Sequence, residues 1–154
     1  MKIHDLIVKP LKMHIDHRGF LVEGWRSDSS ESLKPEMMYV SYSNPGIRRG
    51  AHKHINQKDY FIFIGPGNFR VVIIDDRSDS PTYKMVDDFY VGENNPAAVL
   101  IPTNCWHGYQ NISSKMGMVI NLPDKMYKGP NYSEDIDEIR MKWENIYDWP
   151  EIED

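Results

Sequence analysis

Ile47-Arg48-Arg49-Gly50-Ala51-His52-Lys53-His54 places two arginines, a glycine and two histidines within eight residues. Apolar runs of β type flank it, Met37-Met38-Tyr39-Val40 before and Tyr60-Phe61-Ile62-Phe63-Ile64 after. Basic groups gathered on a strand suggest a site for an anion, and a histidine in that field suggests proton transfer or metal binding. The chain as a whole is acidic, with a net charge of −5 and a pI of about 5.6. Nucleic acid is therefore not an expected partner, and any anion site must be local.

Outward from that stretch, short apolar segments alternate with turn signals. Leu6-Ile7-Val8 reads as a strand ended by Pro10. Asp16-His17-Arg18-Gly19 is turn chemistry, followed by a strand from Phe20 to Trp25. Residues 27–31 form a polar loop, and Met37 to Ser43 a strand closed by Ser43-Asn44-Pro45-Gly46. Phe69 to Ile74, Ala97 to Pro102 and Met116 to Ile120 complete the set. Only residues 133–146 approach a helical period. There Ser133 offers an N-cap and Glu134, Asp135 and Asp137 an acidic first turn. This pattern predicts an all-β sandwich or barrel with a short C-terminal helix, not alternating βαβ units.

At 154 residues, one domain over 1–154 with a substantial core is expected. No apolar leader or membrane span is legible. The one cysteine, Cys105, excludes an internal disulfide and fits a reducing cytoplasm. Four Trp, nine Tyr and five Phe leave aromatics to stack on a ligand ring.

Two spaced patterns resemble the signatures of cupin jelly-roll β-barrels: Gly50-Ala51-His52-Lys53-His54 with Gly65, and Pro102-Thr103-Asn104-Cys105-Trp106-His107-Gly108-Tyr109-Gln110-Asn111. Metal-binding cupins use two histidines, a carboxylate a few residues later and the histidine of the second motif. His52, His54 and His107 are present here, and the carboxylate position falls at Lys58 or Asp59. No metal and no other cofactor is expected as the first reading; a metal-dependent enzyme built on His52, His54 and His107 is the alternative.

A narrower resemblance runs nearly end to end. Asp16-His17-Arg18-Gly19-Phe20 with Glu23, Ser41-Tyr42-Ser43, Arg49-Gly50-Ala51-His52, Asp75 to Tyr83, Ile101-Pro102 with His107-Gly108-Tyr109, and Trp149-Pro150 resemble, in order, the motifs of the dTDP-4-dehydrorhamnose 3,5-epimerase family. The resemblance implies a cofactor-free isomerase of nucleotide-diphospho-4-keto-6-deoxy sugars, dTDP-linked above all, in surface-polysaccharide synthesis. It also implies a homodimer, in which an N-terminal strand lends Phe20 and Arg26 to the neighbouring pocket.

By the same resemblance His52 is the base that takes a proton beside the C4 ketone, and Lys58 holds the enolate oxygen. Arg18 and Arg49 grip the diphosphate, with Arg26 and Arg77 as further cations. Phe20 contacts the nucleotide base, Tyr127 stacks on it, and His54 and His107 line the pocket. An epimerase also needs an acid on the opposite face. The family's acid tyrosine lies thirteen residues after the second-motif histidine, which here reaches Ile120. Tyr109, Tyr127 or water is then expected to serve. The aspartate that orients the family's base sits in a C-terminal segment with no counterpart after Trp149-Pro150, leaving Asp148 or Asp59 to replace it. Lacking a clear acid, the chain is alternatively a single-centre isomerase or a non-catalytic sugar-nucleotide-binding protein.

Overall fold

A computed structural model describes residues 1–29 and 33–150. Residues 30 and 31 of the expected polar loop thus lie outside the described residues. Twelve strands are formed among the described residues: β1 Ile7–Pro10, β2 Met13–Asp16, β3 Gly19–Val22, β4 Tyr39–Ser43, β5 Arg48–Lys53, β6 Asp59–Phe63, β7 Asn68–Asp75, β8 Val86–Gly92, β9 Ala97–Ile101, β10 Cys105–Asn111, β11 Gly117–Asn121 and β12 Ile139–Arg140. They make two five-stranded antiparallel sheets, β1-β9-β6-β11-β4 and β12-β5-β10-β7-β8, with β2 and β3 as a separate hairpin. This is the expected all-β jelly roll.

Strand periodicity explains the layers. Side chains alternate between faces, so a strand covered on both sides must be apolar at every position. In β6, Phe61 and Phe63 point between the sheets, where they meet Phe69, Val71, Ile73, Val99, Ile101, Tyr109 and Val119. Tyr60 and Ile62 point the other way, into an outer layer with Leu11, Leu33, Ala98 and Leu100. The outer face of the second sheet is covered by the C-terminal segment, whose Trp143 and Trp149 pack on Ala51, Val72, Ile74 and Trp106. Tyr109 meets Phe63 and Phe69 edge-on, with ring centroids 5.7 and 5.5 Å apart. Each fully buried side chain of this size contributes about 1.5–3 kcal/mol, which makes the inter-sheet layer the main source of stability.

Two expectations are corrected. No helix starts at Ser133; the helical content near the C-terminus is two three-residue 3-10 turns, Pro130–Tyr132 and Trp143–Asn145. The acidic run is used elsewhere: the Asp137 carboxylate accepts the backbone N–H groups of Ile55, Asn56 and Gln57. β8 was not expected, because Asp87 and Asp88 interrupt its apolar pattern. Asp87 accepts the N–H groups of Lys2 and Ile3, and Asp88 holds Arg70 at 2.5 Å.

The seam between β5 and β10 positions the site. The ladder pairs His107 with His52 and then slips between His107 and Tyr109. Gly108 sits in that slip. A Cβ there would lie 2.1 Å from the Arg49 carbonyl oxygen and 2.6 Å from Trp143. Gly108→Ala is expected to destabilise the fold by about 1–3 kcal/mol, since the clash is with backbone. At roughly 2–4 °C per kcal/mol for a chain of this size, a thermal melt checks it.

Candidate active site

Three histidines and one carboxylate meet where the two sheets face each other. His52 and His107 are cross-strand partners on β5 and β10, with ring centroids 4.3 Å apart. His54 follows β5 on the same side. Asp59 opens β6 on the opposing sheet and is 1% exposed. Its side is fixed by parity with Phe61 and Phe63, which drives it between the sheets.

Asp59 is the hub. Oδ2 lies 3.0 Å from His107 Nε2 and 3.3 Å from His54 Nε2. Oδ1 accepts the amides of Gln57 and Asn121, both at 2.8 Å. Burial alone would raise the Asp59 pKa, but the bonds and charges of His107 and His54 outweigh it and hold the carboxyl well below the usual range. For His54, burial acts downward, and the bond and charge of Asp59 reverse it to a net rise.

His52 differs from its neighbours. Its ring forms no side-chain hydrogen bond among the described residues. Burial, then the adjacent His107, push its pKa well below the usual value, partly opposed by the Asp59 charge. A neutral imidazole with an uncommitted lone pair is the form that accepts a proton. It faces a cavity of about 580 Å³ lined also by Tyr39, Ser41, Arg49, Tyr109, Glu138, Arg140 and Lys142. Arg49 is braced there by Ser43 Oγ at 2.8 Å and the Tyr42 carbonyl at 2.6 Å. Arg140 lies opposite His52 in the β12–β5 ladder and pairs with Glu138.

The other expected residues are distributed as follows. His107 lies behind His52, buried at 2%. His54 and Tyr127 line an adjoining cavity of about 650 Å³ that shares Tyr39, Glu138 and Arg140 with the first. Lys58 lines neither cavity. One residue before Asp59, it carries the parity of Tyr60 and Ile62 and not that of Asp59, Phe61 and Phe63. Arg18, Phe20 and Arg26 are also absent from both linings. Arg18 is paired with Asp16 and Arg26 with Asp28 on the exposed surface of their own segment. Arg77 is tied to Asp75 in a turn at 2.8 Å, which accounts for it structurally. Asp148 is not among the partners of the three histidines.

Ile120 does not face the cavity; it packs in the outer layer. The inward residue is its neighbour Asn121, fully buried and paired across β4 with Tyr39. Neither Tyr39 nor Arg140 stood out in the sequence. Tyr39 sits in an apolar strand with no local motif, and its meaning comes only from cross-strand register.

The same four residues have the composition of a metal site. Ligand atoms of His52, His54, Asp59 and His107 all lie within 4.8 Å of one another. His107 Nδ1 faces the Cys105 carbonyl at 2.9 Å, and His54 Nδ1 faces the Asp137 carbonyl. His107 therefore has an acceptor at each ring nitrogen, while His54 Nε2 lies 3.3 Å from both Asp59 Oδ2 and the Gln57 amide, so the cluster has room for an extra cation, a proton or a metal ion, between the Nε2 atoms and Asp59.

The model of the family described as dTDP-4-dehydrorhamnose 3,5-epimerase matches residues 1–147. The chain is 42% identical over 144 residues to the probable low-salt glycan biosynthesis epimerase Agl13 of Haloferax volcanii, covering 92% of this chain and 89% of the relative. It is 34% identical over 145 residues to the spore coat polysaccharide biosynthesis protein SpsL of Bacillus subtilis, covering 93% and 91%. Among solved structures, the fold resembles the dTDP-4-dehydrorhamnose 3,5-epimerase of Bacillus anthracis with a TM-score of 0.80 at 24% identity, over 97% of this chain and 87% of that one. It also resembles ChmJ, a 3'-monoepimerase from Streptomyces bikiniensis solved with dTDP, with a TM-score of 0.82 at 19% identity, over 97% and 77%.

Proposed function

The chain belongs to the dTDP-4-dehydrorhamnose 3,5-epimerase family, and from that premise we propose that it epimerises a dTDP-linked 4-keto-6-deoxy sugar in the assembly of a glycan or surface polysaccharide. The observation that carries this reading is the His52 ring, which makes no side-chain hydrogen bond among the described residues and faces a cavity that also holds Arg49.

The C4 ketone acidifies the hydrogens on C3 and C5, so the substrate itself supplies what a carbanion-stabilising cofactor would. His52 takes the proton. The imidazolium that forms is stabilised by the Asp59 charge. Arg49, Arg140 and Lys142 give the cavity a positive field that favours both a diphosphate and the charge arriving on the C4 oxygen. The adjoining cavity, with Tyr127 on its rim, suits the nucleotide base. Phe20 and Arg26 reach a site only from a second copy of the chain. The β2–β3 hairpin supports that arrangement, because its Ile15, Phe20 and Leu21 are 74%, 55% and 63% exposed. The cytoplasm, where nucleotide sugars are made, is the matching location.

The test is incubation with dTDP-4-keto-6-deoxyglucose and determination of the product configuration by NMR. Inversion at C3, C5 or both is expected. An unchanged sugar in the presence of saturable dTDP binding would count against this substrate and point to another keto sugar or to a binding protein.

The clustering of His52, His54, Asp59 and His107 favours a second reading, a metal-dependent enzyme. A divalent ion there would take the His52 lone pair. The ligand set, three imidazoles and a carboxylate, is that of a zinc-class ion. Protein purified without chelator is expected to hold well under one equivalent of metal if His52 is a free base; a stoichiometric ion would transfer the assignment to the metal reading.

A further inference from the structure

An epimerase needs a proton donor facing its base, and the position where sequence spacing locates one is Ile120, which points away from the site. We propose that Tyr39 is that donor, aimed into the cavity by Asn121; this rests on the epimerase reading above.

The argument is one of hydrogen-bond orientation. The Asn121 carbonyl Oδ1 accepts the backbone N–H of Tyr60 at 3.0 Å. That group can only donate, so the Asn121 amide has one possible orientation. Its Nδ2 then faces two oxygens, Asp59 Oδ1 at 2.8 Å and the Tyr39 hydroxyl at 2.8 Å. The Asn121 amide donates to both. The Tyr39 oxygen is thus occupied as an acceptor, and its own hydrogen is left to donate elsewhere. Tyr39 lines the His52 cavity, so that hydrogen is available to a bound sugar.

Geometry separates Tyr39 from the other tyrosines. His52 is on β5 and Tyr39 on β4, strands of the two facing sheets, so base and donor stand on opposite walls. Opposite walls are what inversion requires, because the proton leaves one face of the sugar and another returns to the other face. Tyr109 lines the same cavity but is on β10, beside β5 and on the wall of the base. Its hydroxyl is already engaged with Ser41 Oγ at 2.8 Å. Tyr127 lines the adjoining cavity only. The Asp59 carboxylate joins the two ends of the system, touching His107 and His54 on the base side and reaching Tyr39 through Asn121. Burial and the Asp59 charge both raise the Tyr39 pKa, which keeps the phenol protonated between turnovers.

The experiment is Tyr39→Phe with dTDP-4-keto-6-deoxyglucose in D2O, following deuterium incorporation and inverted product by NMR, with dTDP affinity measured alongside. The variant is expected to bind dTDP as the natural protein does and to exchange the C3 or C5 hydrogen. Its inverted product should fall by about 10²–10⁴-fold, the usual contribution of a positioned acid. Inversion at the natural rate would overturn the assignment, as would a loss of exchange as complete as in a base variant. Absence of exchange and inversion in the natural protein itself would instead sink the epimerase reading, and Tyr39 with it.

Discussion

His52→Asn is expected to lower the rate of proton exchange next to the C4 ketone by about 10²–10⁴-fold, the contribution of a positioned general base, and to leave dTDP affinity within about twofold. The substitution removes basicity and little else. The imidazole makes no side-chain hydrogen bond among the described residues, so no buried partner is orphaned by its loss. Its neighbours His54, Asp59 and His107 keep their bonds to one another. Arg49, the cation proposed to hold the diphosphate, is braced by Ser43 and Tyr42 and not by His52. Exchange followed by NMR and affinity by titration calorimetry together check this. Turnover retained in the variant would remove His52 from the mechanism, and a matching loss of affinity would recast it as a binding residue.

Asp59→Asn is expected to lower both stability and activity. The carboxylate is 1% exposed and acts as acceptor to Gln57, Asn121, His54 and His107. An asparagine of the same shape turns one acceptor oxygen into a donor. Whichever way it is placed, an N–H group then faces the two histidines or the amides of Gln57 and Asn121. Breaking a buried charged pair by removing one partner costs about 3–5 kcal/mol, which chemical denaturation would register as a lower midpoint. Activity should fall as well, because the His52 imidazolium loses the charge that stabilises it and the Asn121 amide loses one of the two oxygens it donates to. A variant as stable and as active as the natural protein would show that Asp59 does not organise the site.

What the sequence made legible follows from what is local. The fold class was readable because buried strands such as Phe69 to Ile74 are short, apolar and bounded by Gly, Pro and Asp. The proposed base stood out because Arg49-Gly50-Ala51-His52 is a contiguous motif whose glycine answers a local demand. Gly50 sits at φ 89°, and a Cβ there would lie 2.5 Å from the His107 carbonyl oxygen. Properties that depend on which face a side chain takes were not readable by counting. Lys58 and Asp59 are adjacent, yet only Asp59 shares the inward parity of Phe61. Ile120 and Asn121 are adjacent, yet only Asn121 turns inward. Tyr39 gained its place from the β4–β11 register, a contact across 82 residues of chain. The helix expected at Ser133 failed for a related reason, since Asp137 satisfies the backbone of residues 55–57 in place of a first helical turn.

The most direct test of the central claim is a proton NMR time course in D2O with dTDP-4-keto-6-deoxyglucose, run on the natural protein beside His52→Asn. The account predicts that the natural protein replaces the C3 or C5 hydrogen with deuterium and yields a sugar inverted at that carbon, and that the variant does neither at a comparable rate. Saturable binding of the nucleotide sugar with no exchange at either carbon would contradict it.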